Sequence, residues 1–299
     1  MLFRSQPPDV QDLMHIRWCP TGPFTSLPIH ASAGYELDPT AKLELEVSID
    51  NPVIPLLISY ASMYQKDGLA KDSLSDYAIS SYISTLSTLL QSQRQPPDIT
   101  FQGNILAVIQ PDTPDQAPLP GAIEELNRIK TRISGPILKS LVGVEATVDA
   151  VLEEMKNASI VHFACHGIQD TTHPLSSRLL LHGGYLSLAQ LMYTSLPNAR
   201  LAFLSACETA TGRDDLPDEA VHLAAGMLAA GFKSIIGTMW AISDSAAPIV
   251  ADGFYARLLK HGKVGYGKAA EALHYAVEDL RKQNPSDFMA WVPFIHMGA

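Results

Sequence analysis

Two reactive side chains stand where two apolar runs stop. Ser159-Ile160-Val161-His162-Phe163-Ala164-Cys165-His166-Gly167 closes on an imidazole and a glycine. Arg200-Leu201-Ala202-Phe203-Leu204-Ser205-Ala206-Cys207-Glu208-Thr209 closes on a thiol followed by polar residues. Continuous apolar runs of this length predict buried, parallel strands. In an open α/β sheet, sites form at the carboxyl ends of such strands. His166 and Cys207 are therefore expected on one edge of one sheet. The chemistry open to them is nucleophilic, with the imidazole raising the thiolate population.

Other readings of these residues compete. His162 and His166 form H-x-x-x-H, which on a helix could hold a metal. This stretch predicts a strand, where four steps at about 3.3 Å each separate the rings by roughly 13 Å. No Glu follows His162, so no metal is expected, and His162 is read as a packed core histidine. Spacing alone makes His166 an ordinary loop histidine. Cys19 and Cys165 suit the common role of cysteine as a small buried hydrophobe; Cys207, where the chain leaves the sheet, suits it less.

The surrounding elements must hold this edge. His15–Trp18 and part of 77–90 predict strands, the latter followed by a helix, and 91–97 reads as a linker. After it the pattern becomes regular. Strands are expected at Asn104–Ile109 and Leu138–Val142. Pro120–Ile133 is helical, with Leu126, Ile129 and Ile133 on one face. Val148, Val151, Leu152 and Met155 form an amphipathic stripe. Residues 178–186 predict a hairpin turning at Gly183-Gly184. Val221, Ala224, Ala225 and Leu228 mark another helix, Lys233–Gly237 a strand, and 244–260 and 266–283 two more helices. Strands alternating with helices imply a mostly parallel sheet covered on both faces. Two portions are expected: 1–97, packing on the sheet, and 98–299, the core.

Bulk properties bound the function. The 299 residues are 46% apolar and 17% charged, with a net charge of −10 and three cysteines. The negative balance argues against a nucleic-acid surface and allows basic partners. The cysteine spacing shows no disulfide framework. The first residues hold no apolar h-region, so no secretory leader is expected, and no apolar run approaches the ~18 residues that span a bilayer. A soluble cytoplasmic protein is expected, with no membrane contact and no cofactor.

His162-Phe163-Ala164-Cys165-His166-Gly167 followed by Leu204-Ser205-Ala206-Cys207-Glu208-Thr209-Ala210 resembles the CHAT family of caspase-like cysteine peptidases, related to separases, caspases and metacaspases. Further pieces fall in the family's order. They are Cys19-Pro20-Thr21-Gly22 with Leu27-Pro28-Ile29-His30-Ala31, and Tyr77-Ala78-Ile79-Ser80-Ser81-Tyr82 without its usual Pro. Pro174 with Ser177-Arg178-Leu179-Leu180-Leu181 follows the imidazole, then Gly237-Thr238-Met239-Trp240-Ala241-Ile242-Ser243-Asp244, and Trp291-Val292-Pro293-Phe294 closes the series. The resemblance implies a caspase-like three-layer α/β fold and a cysteine endopeptidase acting through a His166–Cys207 dyad. The backbone N–H groups of Gly167 and Cys207 would form the oxyanion hole. Trp240 and Asp244 would wall a pocket for a basic residue just before the cut bond. Asp244 has a second reading, as N-cap of the helix that follows it. The acidic group Asp214, Asp215, Asp218 and Glu219 reads as a solvated loop and helix start. The family's modules are commonly joined to repeats, so a repeat-containing regulatory partner is expected beside a protein or peptide substrate. The alternatives are a catalytically silent module acting as an interaction scaffold, and an acyl transferase or thiol hydrolase using the same dyad.

Overall fold

The computed structural model describes residues 13–20, 27–32, 73–83, 85, 103–133, 135–170, 173–205, 219–259 and 268–298. The apolar runs form strands β3 (Asn104–Ile109), β4 (Leu138–Val142), β5 (Ala158–Ala164), β9 (Leu201–Ser205) and β10 (Ser234–Thr238), which run parallel. Three further strands, β1 (Met14–Trp18), β2 (Ala78–Tyr82) and β11 (Phe294–Gly298), complete an eight-stranded sheet of order β1-β2-β11-β10-β9-β5-β3-β4. Strand β11 is antiparallel to β10, while β2 and β1 follow the direction of β11. A second sheet holds β6 (Gly167–Ile168), β7 (Arg178–Leu181) and β8 (Gly184–Ser187). Its β7–β8 hairpin turns at Gly183, whose φ of 69° suits glycine.

Strand alternation divides the core into two faces. Val161, Phe163 and Cys165 pack with Leu106, Val108, Ala202 and Leu204 on one face. Covering that face are α2 (Val148–Met155), α3 (Leu188–Tyr193) and α4 (Glu219–Ala229). Ile105, Ile160, Leu201, Phe203 and Ile236 occupy the other face, under α1 (Pro120–Arg132), α5 (Ala246–Leu258) and α6 (Ala269–Gln283). A short α7 (Phe288–Trp291) leads into β11. This is the three-layer α/β arrangement expected from the alternation of elements.

The helices start where the sequence allows. Pro120 opens α1 at a position whose N–H has no intrahelical acceptor. Thr147 caps α2 by accepting from Ala150 N–H. Ser187 and Gln190 form a capping box for α3. The helix expected after the β2 strand falls outside the described residues. Strand β11 was not expected; Phe294–Gly298 is a brief apolar run interrupted by His296.

The edge strands are tied in by polar groups. Ser81 Oγ lies 2.6 Å from His15 Nε2 and 2.6 Å from His296 Nδ1, and His296 Nε2 lies 2.7 Å from Ser234 Oγ. This row crosses β1, β2, β11 and β10. Next to it, His30 Nε2–H donates to the Val292 carbonyl at 2.9 Å, and its Nδ1 meets Tyr82 Oη at 2.8 Å.

Candidate functional site

The parallel ladder levels the carboxyl ends of three strands. Ile109 pairs with Ala164, and Ala164 with Ser205. His166 lies two residues beyond Ala164, and Cys207 two residues beyond Ser205. Residues 206–218 lie outside the described residues, and with them Cys207 and the acidic Asp214, Asp215 and Asp218; Glu219 is described only as the first residue of α4.

His166 is fully buried. Its Nε2 lies 2.8 Å from the Ala117 carbonyl. A carbonyl only accepts, so Nε2 carries the proton and Nδ1 keeps its lone pair in the neutral ring. Nδ1 is buried and has no hydrogen-bond partner among the described residues. Among the described residues the imidazole is therefore held through Nε2 alone, with Nδ1 left unbonded.

The Ala117 carbonyl is set by the loop between β3 and α1. Gln110 N–H donates to the Ala164 carbonyl at 2.9 Å, continuing the β3–β5 ladder. Gln110 Nε2 donates to the Asp112 carbonyl at 2.6 Å, and Leu119 N–H to the Pro111 carbonyl at 2.8 Å. The loop is therefore cross-tied at both ends. No pattern in the sequence marks Ala117, because every residue has a carbonyl.

On the other side, Leu180 N–H donates to the His166 carbonyl at 2.8 Å, while Gly167 pairs with Leu179 and Ile168 with Arg178. Bonded and non-bonded pairs alternate along an antiparallel ladder. The bonds fall at 166/180 and 168/178, so the Gly167 N–H turns away from β7. Arg178, a basic group close in sequence, lies over the Tyr185 ring with 5.2 Å to its centroid.

Trp240 and Asp244 follow β10 at the same edge. Trp240 is half-buried and packs against both core faces; its Nε1 is buried without a hydrogen-bond partner among the described residues. Asp244 does not cap the helix that follows it: α5 has Ser245 at its N-cap and no side-chain cap bond. Instead Asp244 Oδ2 accepts from the Gly121 N–H of α1 at 2.6 Å. The cap exists, but on a helix 123 residues away in sequence. That distance hides it from local reading.

His162 is a core histidine. Its ring stacks on Phe203 at 4.8 Å, and Nδ1 lies 3.3 Å from Tyr255 Oη. Glu125, from α1, brings Oε1 to 3.1 Å from His162 Nε2, without hydrogen-bond alignment. The sequence reading missed this buried carboxylate. Cys165 is buried, whereas Cys19 is exposed rather than packed. Among the described residues no group of three or more His, Cys, Asp or Glu side chains could hold a metal ion.

The family model of the CHAT domain matches residues 5–299. The chain belongs to the CHAT domain family. No curated protein matches it. Among solved structures, the Saccharomyces cerevisiae separase in complex with securin is similar with a TM-score of 0.51 and 14% identity, covering 75% of this chain and 14% of that one. Gingipain R (RgpB), an Arg-specific cysteine proteinase, is similar with a TM-score of 0.50 and 11% identity, covering 74% of this chain and 54% of that one. At these identities the likeness is one of fold: caspase-like cysteine peptidases. This CHAT chain spans only part of each.

Proposed function

We propose that this CHAT module is a cysteine endopeptidase acting through His166 and Cys207. The observation that carries the reading is the buried Nδ1 of His166, unbonded among the described residues, at the sheet edge where β9 ends at Ser205, two residues before Cys207. The Cys207 thiol proton passes to Nδ1, and the sulfur bonds to the scissile carbonyl carbon. The oxyanion is met by the Gly167 N–H and the backbone N–H of Cys207. His166 returns the proton to the leaving amine as the C–N bond breaks. It then takes a proton from water, whose oxygen displaces sulfur, giving a carboxylic acid and regenerating the thiol.

A basic side chain at P1 is the proposed specificity. Among the described residues Asp244 hydrogen-bonds only through Oδ2, to Gly121, which leaves Oδ1 for a cation, with the Trp240 indole four residues earlier in the same turn. The net charge of −10 adds long-range attraction. The Arg specificity named for gingipain R makes the same class of side chain the first to test. With one oxygen already occupied, a two-pronged fork is weakened, and Lys approaches Arg as a substrate. Control is proposed to reside in the acidic segment 210–218 or in a protein partner, as the separase–securin complex suggests by analogy.

The test is labelling of wild type by an electrophilic peptide ketone, with a peptide-library digest run beside it. Labelling at Cys207 and cleavage after Arg or Lys are expected. Cys207→Ala and His166→Ala should each abolish nearly all turnover, because residues acting as one unit are lost together. Turnover surviving in Cys207→Ala removes the dyad; an unreactive, correctly folded wild type identifies a silent scaffold.

A further inference from the structure

Asp244 is joined to His166 by a short structural path. Its Oδ2 holds the Gly121 N–H at 2.6 Å. Gly121 is the second residue of α1, and the Leu119-to-Ala117 stretch runs straight from that helix start to the carbonyl that binds His166 Nε2 at 2.8 Å. The contact is close-fitting as well as polar. A Cβ on Gly121 would come 2.2 Å from the Asp244 carbonyl oxygen and 2.6 Å from its carboxyl carbon. The helix start and the 240–245 turn therefore touch backbone to backbone, with the carboxylate filling the first-turn donor. Elsewhere on α1, Glu125 Oε1 lies 3.1 Å from Nε2 of His162 on β5, four residues before His166, without hydrogen-bond alignment.

We infer that Asp244 is a positioning residue: it seats α1, and through the Ala117 carbonyl it sets the tautomer and direction of His166. The inference rests on the dyad reading for its consequence in catalysis, but not for the geometry itself. It also makes the turn after β10, which would touch a substrate side chain, mechanically continuous with the base. A substrate that shifts Trp240 or Asp244 would move the acceptor behind the imidazole. The reach matters because misplacing a catalytic group by about 1 Å can cost about 100-fold in rate.

The experiment compares the wild-type chain with Asp244→Ala, Asp244→Asn and Gly121→Ala. Histidine-labelled protein gives the ring nitrogen shifts of His166, identified by their loss in His166→Ala. Turnover is measured on peptides differing only at P1, and Cys207 alkylation by iodoacetamide serves as a reaction without any P1 group. Asp244→Ala and Gly121→Ala should shift the His166 ring nitrogens away from the Nε2–H form. Both should lower kcat by about 10- to 100-fold on every peptide and slow alkylation in parallel. Asp244→Asn keeps an oxygen for Gly121 N–H, so it should restore the wild-type His166 shifts and confine any loss to basic P1. The His296 and His30 signals report whether each variant keeps its core. Unchanged His166 shifts in Asp244→Ala overturn the inference whatever the kinetics. A loss limited to basic P1 in both Asp244 variants also overturns it, leaving Asp244 as a pocket wall. If wild-type Cys207 neither alkylates nor turns over substrate, the peptidase reading falls, while the nitrogen shifts still decide the positioning role.

Discussion

A histidine tied at Nε2 to a carbonyl is a base with one usable nitrogen. That selection is made at His166 by the backbone of Ala117, a feature that no sequence motif announces. The candidate base proposed at His166 stands out in the sequence with its glycine neighbour, because His166-Gly167 ends an apolar run. The partner behind it was not, because a backbone carbonyl carries no residue signature. Asp244 was legible as a cap and illegible as to which helix it caps. Cys165 belongs to the packed face, so Cys165→Ala should leave turnover unchanged and lower stability only modestly. A second residue prediction concerns His296. Burial, helped by the charges of His15 and Arg17, pushes its pKa from 6.5 down to about 3. The unfolded chain therefore binds the extra proton first as pH falls, so stability is lost progressively below 6.5 and levels off near the folded value. By about pH 5 the loss from this one group is on the order of 2 kcal/mol. Urea midpoints measured across this range should fall with acid in the wild type and fall less in His296→Gln. Parallel curves would show that His296 is not the acid-sensitive group.

At the scale of elements, periodicity carried most of the reading. Strands β5 and β9 and helices α1 and α2 lie where their apolar patterns place them. The helices expected over 244–260 and 266–283 are Ala246–Leu258 and Ala269–Gln283; residues 260, 266 and 267 lie outside the described residues. Strand β11 escaped because its run is short and holds a histidine whose polarity is answered by Ser81 and Ser234 on neighbouring strands, far away in sequence. Its last residue makes a specific prediction. Gly298 has φ of 135°, and a Cβ there would come 2.5 Å from the Lys233 carbonyl oxygen. Gly298→Ala should cost about 1–3 kcal/mol through backbone strain and displacement of β11 from β10. The check is a denaturant titration; a wild-type midpoint would mean the strand end readily shifts.

At the scale of the molecule, the boundary proposed from the linker at 91–97 meets a sheet that crosses it. Strands β1 and β2 come from the 1–97 portion, and β2 pairs with β11 through Tyr82 and Met297. Arg281 on α6 reaches Asp76 at 3.0 Å. Residues 98–299 expressed alone should therefore expose the β11 edge, lose the Ser81 contact of His296 and self-associate. Size-exclusion chromatography decides this; a monomeric, cooperatively folding 98–299 fragment would make the two portions separate domains. The same crossing row of His15, Ser81, His296 and Ser234 has a further consequence. Ser81 has one hydroxyl proton between two rings. With that proton in the row, donation to His15 requires a His296 Nδ1–H and leaves His296 Nε2 to accept from Ser234. Donation to His296 reverses every arrow, and Ser234 becomes an acceptor. A neutral His296 has a single ring proton, so it transmits this choice without averaging it. The edge strand and the fourth strand in therefore share one bit of orientational information, written in proton positions and copied across the sheet with no heavy atom moving.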